Sequence, residues 1–292
     1  MATETGLSYA GNITGKRVLR IRETHVRDHI ATLIRQKRAG AAKLDLVLRA
    51  IALAPGHTGK RQLPGLVLPR IRYEEIHDLA RSPLAYGSDL EDPKVVDAKR
   101  KWIAEQLRVL EKLQLLRREP RPGKRPRIVV LRDDGSGDPF DDPDGSPGNS
   151  YVRISGELLA SGWLADLSAS ELAFYIAAMI AERYESDRRR RLREGANTES
   201  SLGEGQWFRS LSWFAGEDGF SGGNRVLIPF STASLDRGLR SLLRKGYVSK
   251  TTIKTDPVTK RRFETRRRNL YTNHFVVGGL EAQESMRDSA AT

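Results

Sequence analysis

The chain has 292 residues, 38% hydrophobic and 30% charged, with 50 Lys/Arg against 37 Asp/Glu and a formal net charge of +13. That length suffices for two ordinary domains with buried cores, and no apolar run approaches the roughly 18 residues of a membrane-spanning helix. Cysteine is absent, which excludes disulfides, thiol chemistry and Cys-based zinc sites. The histidines, at positions 25, 29, 57, 77 and 274, are too scattered to suggest a zinc cage.

Residues 1–15 read as a flexible tail. They lack the charged-then-apolar pattern of a signal peptide, so a cytoplasmic location is expected. Residues 16–42 read as a basic helical arm. Between Lys16 and Arg38 eight basic residues face only Glu23 and Asp28, and Val26, Ile30, Leu33 and Ile34 are spaced as a helical stripe.

A first globular unit is expected over 43–132. Val47, Ala50, Ile51 and Ala54 form one helix face, which Pro55-Gly56 ends. Tyr73 to Arg81 predicts a short helix closed by Ser82-Pro83. A longer helix starts near Pro93, with Ile103, Leu107 and Leu110 inward and Lys99, Arg100, Lys101 and Arg108 outward. Strands are expected at Leu115 to Glu119 and Arg127 to Arg132, around a turn that carries Arg121, Lys124 and Arg125.

Residues 133–150 hold six aspartates, four glycines and three prolines, the composition of an acidic disordered linker. The run lacks the alternating ligands and closing Glu of an EF-hand. By charge it could lie against the basic hairpins in place of nucleic acid.

A second unit is expected over 151–278. Tyr151 to Ile154 reads as a strand and Leu158 to Leu164 as a short helix. A strong helix follows, carrying Leu172, Tyr175, Ile176, Met179 and Ile180 behind the capping box Ser168-x-x-Glu171. A loop insertion is expected at about 188–206, its first residues, Arg188 to Arg191, extending the helix. Leu211 to Phe214 suggests a helical turn and Val226 to Ile228 a small strand. Ser231 is the expected N-cap of the last helix, and 279–292 form a second tail.

The densest charge lies between Arg237 and Arg268, where twelve Lys/Arg meet only Asp256 and Glu264, a local net of +10. Beneath it Leu235, Leu239 and Leu242 mark one helix face, Gly246 ends the helix, and two strand-like runs flank Asp256-Pro257-Val258-Thr259. Clustered Lys/Arg gains affinity for nucleic acid by releasing counterions. A membrane surface would want a basic amphipathic helix alone, whereas here the charge continues into a turn and strands.

The two units share a pattern at an offset of 132 residues. Ile103, Leu107 and Leu110 align with Leu235, Leu239 and Leu242, Arg108 with Arg240, and Gln114 with Gly246. Both helices run into a hairpin with a basic, proline-containing tip. Residues 231–248 and Arg267 to Tyr271 resemble the recognition helix and wing strands of winged helix-turn-helix proteins. Residues 150–184 are similar to the opening of winged-helix domains in plasmid and phage replication initiators of Gram-positive bacteria.

The resemblance implies a mainly α fold with small β-hairpin wings (α+β), built as two winged-helix domains that bind double-stranded DNA. The expected contacts are Lys99, Arg100, Arg121, Lys124 and Arg125 in the first unit. In the second they are Thr232, Arg237, Arg240, Arg244, Lys260, Arg261, Arg262, Arg266 and Arg268. Residues near a recognition-helix start reach base edges, and wing cations meet phosphates. A homodimer would extend the site to a repeated or palindromic one, and replication or transcription machinery would be further partners. Winged helices also serve as protein-interaction subunits of DNA-handling complexes, the rival expectation.

No enzyme, cofactor or metal is expected. GxxxxGK[ST] and HExxH are missing, and Gly219 to Gly223 reads as a turn. Glu74, Glu75, His77 and Asp78 read as a solvated helix face, because adjacent carboxylates point to different sides. Trp207, Phe208, Trp213 and Phe214 read as core in preference to base-stacking aromatics.

Overall fold

The computed structural model describes residues 18–53, 66–67, 73–81, 92–141, 143, 145–146, 149–155, 163–195, 206–207, 230–253 and 268–273. They divide into two compact units, Met1–Leu167 and Ser168–Thr292, each combining helices with small antiparallel sheets.

Unit 1 opens with strand β1 (Val18–Arg22), a π-helical turn (His25–Ile30) and helix α1 (Ala31–Arg35). The expected basic helical arm is thus corrected. Leu19 and Ile21 are buried while Arg20 is exposed, the period-2 alternation of a half-buried strand. β1 pairs antiparallel with β5 (Tyr151–Ser155), from Val18↔Ser155 to Arg22↔Tyr151, and Arg20 lies 5.0 Å from the Tyr151 ring centre. Because β5 completes this sheet, it belongs to unit 1, and the second unit starts at Ser168 instead of 151.

The rest of unit 1 is α2 (Ala39–Leu53), β2 (Leu66–Val67), α3 (Tyr73–Ala80), α4 (Pro93–Lys112), β3 (Leu116–Arg121), β4 (Lys124–Val130) and α5 (Trp163–Asp166). Asp92 caps α4 by accepting the Lys94 N–H at 2.8 Å, with Pro93 in the first turn. Ile103, Leu107 and Leu110 are buried, as their spacing predicts. The β3–β4 turn is tighter than expected, since Arg121 already pairs with Lys124 across Pro122-Gly123. β2 adds to β4, giving the sheet order β2-β4-β3.

Unit 2 contains α6 (Ala169–Gly195), β6 (Gln206–Trp207), α7 (Thr232–Arg244), β7 (Val248–Ile253) and β8 (Arg268–Asn273), with sheet order β6-β8-β7. The capping box forms as read: the Ser168 N–H donates to Glu171 Oε2 at 2.6 Å and the Glu171 N–H to Ser168 Oγ at 3.3 Å. Ser231 caps α7 through the Ser234 N–H at 3.3 Å. α6 runs to Gly195, so 188–195 is helix and not insertion loop. The expected tails, residues 196–205, the helical turn expected at 211–214, the strand expected at 226–228, Gly219 to Gly223 and the turn expected at 256–259 lie outside the described residues. Phe208 does too, and of Trp207 only the backbone is described.

The 132-residue repeat is physical. α4 ends with the Gln114 N–H on Glu111 O (3.0 Å) and the Leu115 N–H on Leu110 O (3.1 Å). α7 ends with Gly246 on Leu243 O (3.2 Å) and Tyr247 on Leu242 O (2.9 Å). Gln114 (φ 56°) and Gly246 (φ 72°) both take the left-handed conformation that this helix termination requires. The α1 end repeats it, with Lys37 at φ 61° and the Arg38 N–H on Leu33 O at 2.8 Å.

The acidic segment after β4 is likewise built in, not a disordered linker. Leu131 bridges Pro139, and buried Asp133 holds the buried Arg22 guanidinium and its backbone N–H at 2.8 Å. Arg22 also meets Asp141 at 2.7 Å and Asn149 at 2.7 Å. Of its aspartates, Asp133 and Asp141 are committed to Arg22 and Asp134 pairs with Arg132.

Two substitutions should move stability in opposite directions. Gln114→Gly removes a side chain from a left-handed position and should raise unfolding free energy by about 1 kcal/mol. Gly238→Ala gains about 1 kcal/mol of helix propensity, but its Cβ would meet the Ser170 carbonyl oxygen at 2.1 Å. Overpacking against backbone should win by about 2 kcal/mol or more. Urea unfolding of each variant checks both signs.

Candidate nucleic-acid interface

α7 presents its cations as one stripe. Leu235, Gly238, Leu239 and Leu242 are buried, while Arg237, Arg240 and Arg244 are exposed. At 100° per residue the three arginines fall within about 60° of the helix circumference. Arg240 pairs with Asp236 at 2.7 Å and stays 76% exposed. Thr232, expected outward, lies three residues before Leu235 and seven before Leu239. It therefore faces the core side and is half-buried.

This stripe is held from behind by a buried carboxylate. Glu171, at the start of α6, accepts from Ser241 Oγ at 2.6 Å and Lys245 Nζ at 2.8 Å, besides capping its own helix. Burial alone would raise its pKa. The hydrogen bonds from Lys245, Ser241 and Ser168 outweigh burial and hold the carboxyl down at about 2, against 4.5 ordinarily. At 1% exposure it fixes the C-terminal turn of α7 to the N-terminal turn of α6. Gly238 allows the close approach of the same two helices.

In unit 1 the same role falls to ion pairs between α3 and α4. Lys99 is 1% exposed, and its Nζ binds both Asp78 oxygens at 2.7 and 2.9 Å. It is an anchor and cannot be a surface contact as expected. Its position, four before Ile103 and eight before Leu107, puts it on the inner face. Arg100 is half-exposed but bonded to Glu74 at 2.6 Å. The solvated face expected of α3 is corrected: His77 is buried, with its ring against Asp78 at 3.0 Å, and Asp78 and Glu74 hold Lys99 and Arg100 of α4. Among the described residues no three His, Asp or Glu side chains gather as a metal site requires.

The outward stripe of α4 is Lys101, Glu105, Arg108 and Lys112, all exposed. Lys112 and Glu105 were not among the expected contacts, yet the repeat points to them: Glu105, Arg108 and Lys112 stand where unit 2 has Arg237, Arg240 and Arg244. Glu105 cannot meet a phosphate, but a carboxylate can accept an amino hydrogen from a base.

On the β3–β4 hairpin, Arg121, Lys124 and Arg125 are exposed, and among the described residues none meets a carboxylate. Arg125 lies 5.1 Å from the Tyr73 ring centre. Arg117 and Arg127 share Glu119, and Arg118 is tied to Glu111 of α4. In unit 2, Lys250 is exposed on β7. Lys260, Arg261, Arg262 and Arg266 lie outside the described residues, and of Arg268 only the strand backbone is described.

No protein-family model matches the sequence, and no curated protein or solved structure shows significant similarity to it. Among the described residues no helix is long and apolar enough to cross a membrane.

Glu171 generates a pH prediction. Its folded pKa is depressed, so its contribution is complete above about pH 4.5 and is lost as pH falls towards 2. Thermal melts should show an acid limb in that window, flattened by Glu171→Gln. At neutral pH the same change should cost about 1–2 kcal/mol, because the half-buried Ser241 and the partly exposed Lys245 lose a charged acceptor.

Proposed function

We propose that the protein binds specific double-stranded DNA through two winged-helix units, as a replication initiator or transcriptional regulator of a plasmid, phage or other mobile element. The supporting observation is the repeated junction. In each unit a helix with an outward cationic stripe ends on a left-handed residue and turns into an antiparallel hairpin. The second strand of that hairpin also pairs with a two-residue strand from earlier in the unit. A recognition helix flanked by such a wing suits a duplex, the helix meeting base edges in the major groove and the wing meeting backbone.

The net charge of +13 favours a polyanion over a neutral partner. A protein-interaction role remains the second reading, and one observation favours it for unit 1. Glu105 interrupts the α4 stripe, and Lys99 and Arg100 are committed to carboxylates.

Selection of bound sequences from random duplex DNA, with affinity followed across salt, is the deciding experiment. A recovered motif and a steep fall of affinity with salt are expected. Arg237→Ala should change which sequences are preferred, at about 1–3 kcal/mol for removal of a bidentate pairing to a base. Reversing Lys260, Arg261 and Arg262 should weaken all sequences alike. Weak, motif-free binding in low salt would instead support the interaction subunit.

A further inference from the structure

We propose that the corner between α1 and α2, formed by Arg35, Lys37 and Arg38, is a second DNA-backbone contact of unit 1. It would grip one strand of a duplex while the hairpin tip grips the other, so it rests on the duplex-binding reading above. All three side chains are exposed, and among the described residues none meets a carboxylate. The other described cations of this region are occupied. Arg20 covers Tyr151, Arg22 is buried on Asp133, and Arg27 pairs with Asp28 at 2.9 Å. The first turn of α2 contains no acidic residue, so nothing there opposes an incoming phosphate.

Backbone conformation adds a second observation. Lys37 sits at φ 61°, a position where glycine or asparagine is the usual occupant and another side chain costs about 1 kcal/mol. A cation stands at the apex of the turn despite that cost, aimed outward from a helix end that the Arg38 N–H closes on Leu33 O.

The corner also lies where a second backbone would run. Two residues after Arg38, Gly40 lies so close to α4 that an added Cβ would come within 2.8 Å of the Trp102 ring and 3.6 Å of Gln106 Oε1. Trp102 and Gln106 define one flank of α4. The hairpin attaches to the other flank, where Glu111 binds Arg118. At 100° per residue these flanks are about 180–220° apart measured across the outer face, and the stripe of Lys101, Glu105 and Arg108 lies between them. Cations therefore border the stripe on both sides, as the two phosphate backbones border a major groove about 12 Å wide.

The test uses the full chain carrying Arg35→Gln, Lys37→Gly and Arg38→Gln. Glycine keeps the left-handed turn, so the variant should melt no lower than wild type. Binding to random-sequence duplex is titrated with salt, and each phosphate that the protein ceases to neutralise lowers the slope of log K against log[salt] by about 0.9. The expected result is a slope shallower by about 2–3 and at least tenfold weaker binding at low salt, with the selected sequence motif unchanged. A folded variant whose slope and affinity equal those of wild type overturns the corner contact while leaving duplex binding intact. If wild type itself holds no duplex, the function proposed above falls and the corner contact falls with it.

Discussion

In each unit the relation between the outward helix stripe and the hairpin depends on how one helix leaves its last turn. A single left-handed residue, Gln114 or Gly246, reverses the chain so that a strand starts at Leu116 or Val248, close to the helix it has just left. The hydrogen bond that closes the turn joins Leu110 to Leu115 in one unit and Leu242 to Tyr247 in the other. With Leu110, Leu115, Leu116, Leu242 and Val248 buried, the turn is fastened from the apolar side. Hairpin direction is thus set by the helix, and β2 or β6 completes the sheet on the far strand. Cations on helix and hairpin are then held in one fixed relation within each unit.

The charge distribution follows from which face of an element a residue occupies. Cations on inner faces are each given a specific acceptor: Lys99 has Asp78, Lys43 has the Ala165 carbonyl, Arg22 has Asp133, and Arg49 has Asp45 and the Leu131 carbonyl. A buried charge without such a partner would cost several kcal/mol. Burial likewise pushes the His25 pKa down, despite the opposing pull of Asp45, so the ring is neutral and its Nε2 can donate to that carboxylate at 2.7 Å. Carboxylates are therefore drawn into the framework, Glu171, Asp45 and Asp133 among them. Among the described residues, outer cations such as Arg237, Arg244, Lys101 and Arg121 meet none of them, and the positive surface is partly a result of where the acids are used.

Local signals in the sequence were legible and distant ones were not. The Ser168–Glu171 capping box, the Ser231 cap and the α4 start at Pro93 each depend on residues within one turn. The offset of 132 was readable because helix end and strand start are adjacent in the chain. β1 was missed because its partner strand begins at Tyr151, and a five-residue alternation beside a helical stripe does not reveal pairing at that distance. The acidic segment was misread for the same reason, since composition cannot report that Arg22 waits 111 residues earlier for Asp133. Lys99 and Thr232 are different. Their spacing from Ile103 and Leu235 places both on inner faces, although their charge and hydrogen-bonding capacity point outward.

The repeat also shows where the two units diverge. Equivalent outward positions carry Glu105, Arg108 and Lys112 in unit 1 but three arginines in unit 2. The hairpin of unit 1 turns at Pro122-Gly123, whereas the strands of unit 2 are separated by residues 254–267, which carry Lys260, Arg261, Arg262 and Arg266. Counterion release scales with the number of phosphates met, so under the proposed function the two units would contribute unequally to holding a duplex. Unit 2 has the cations to supply affinity. In unit 1 the fewer cations on helix and hairpin are joined by the Arg35–Arg38 corner, and a mixed-charge stripe suits base discrimination better than bulk attraction. Under the proposed function the chain therefore holds chiefly with one copy of the fold and discriminates with the other.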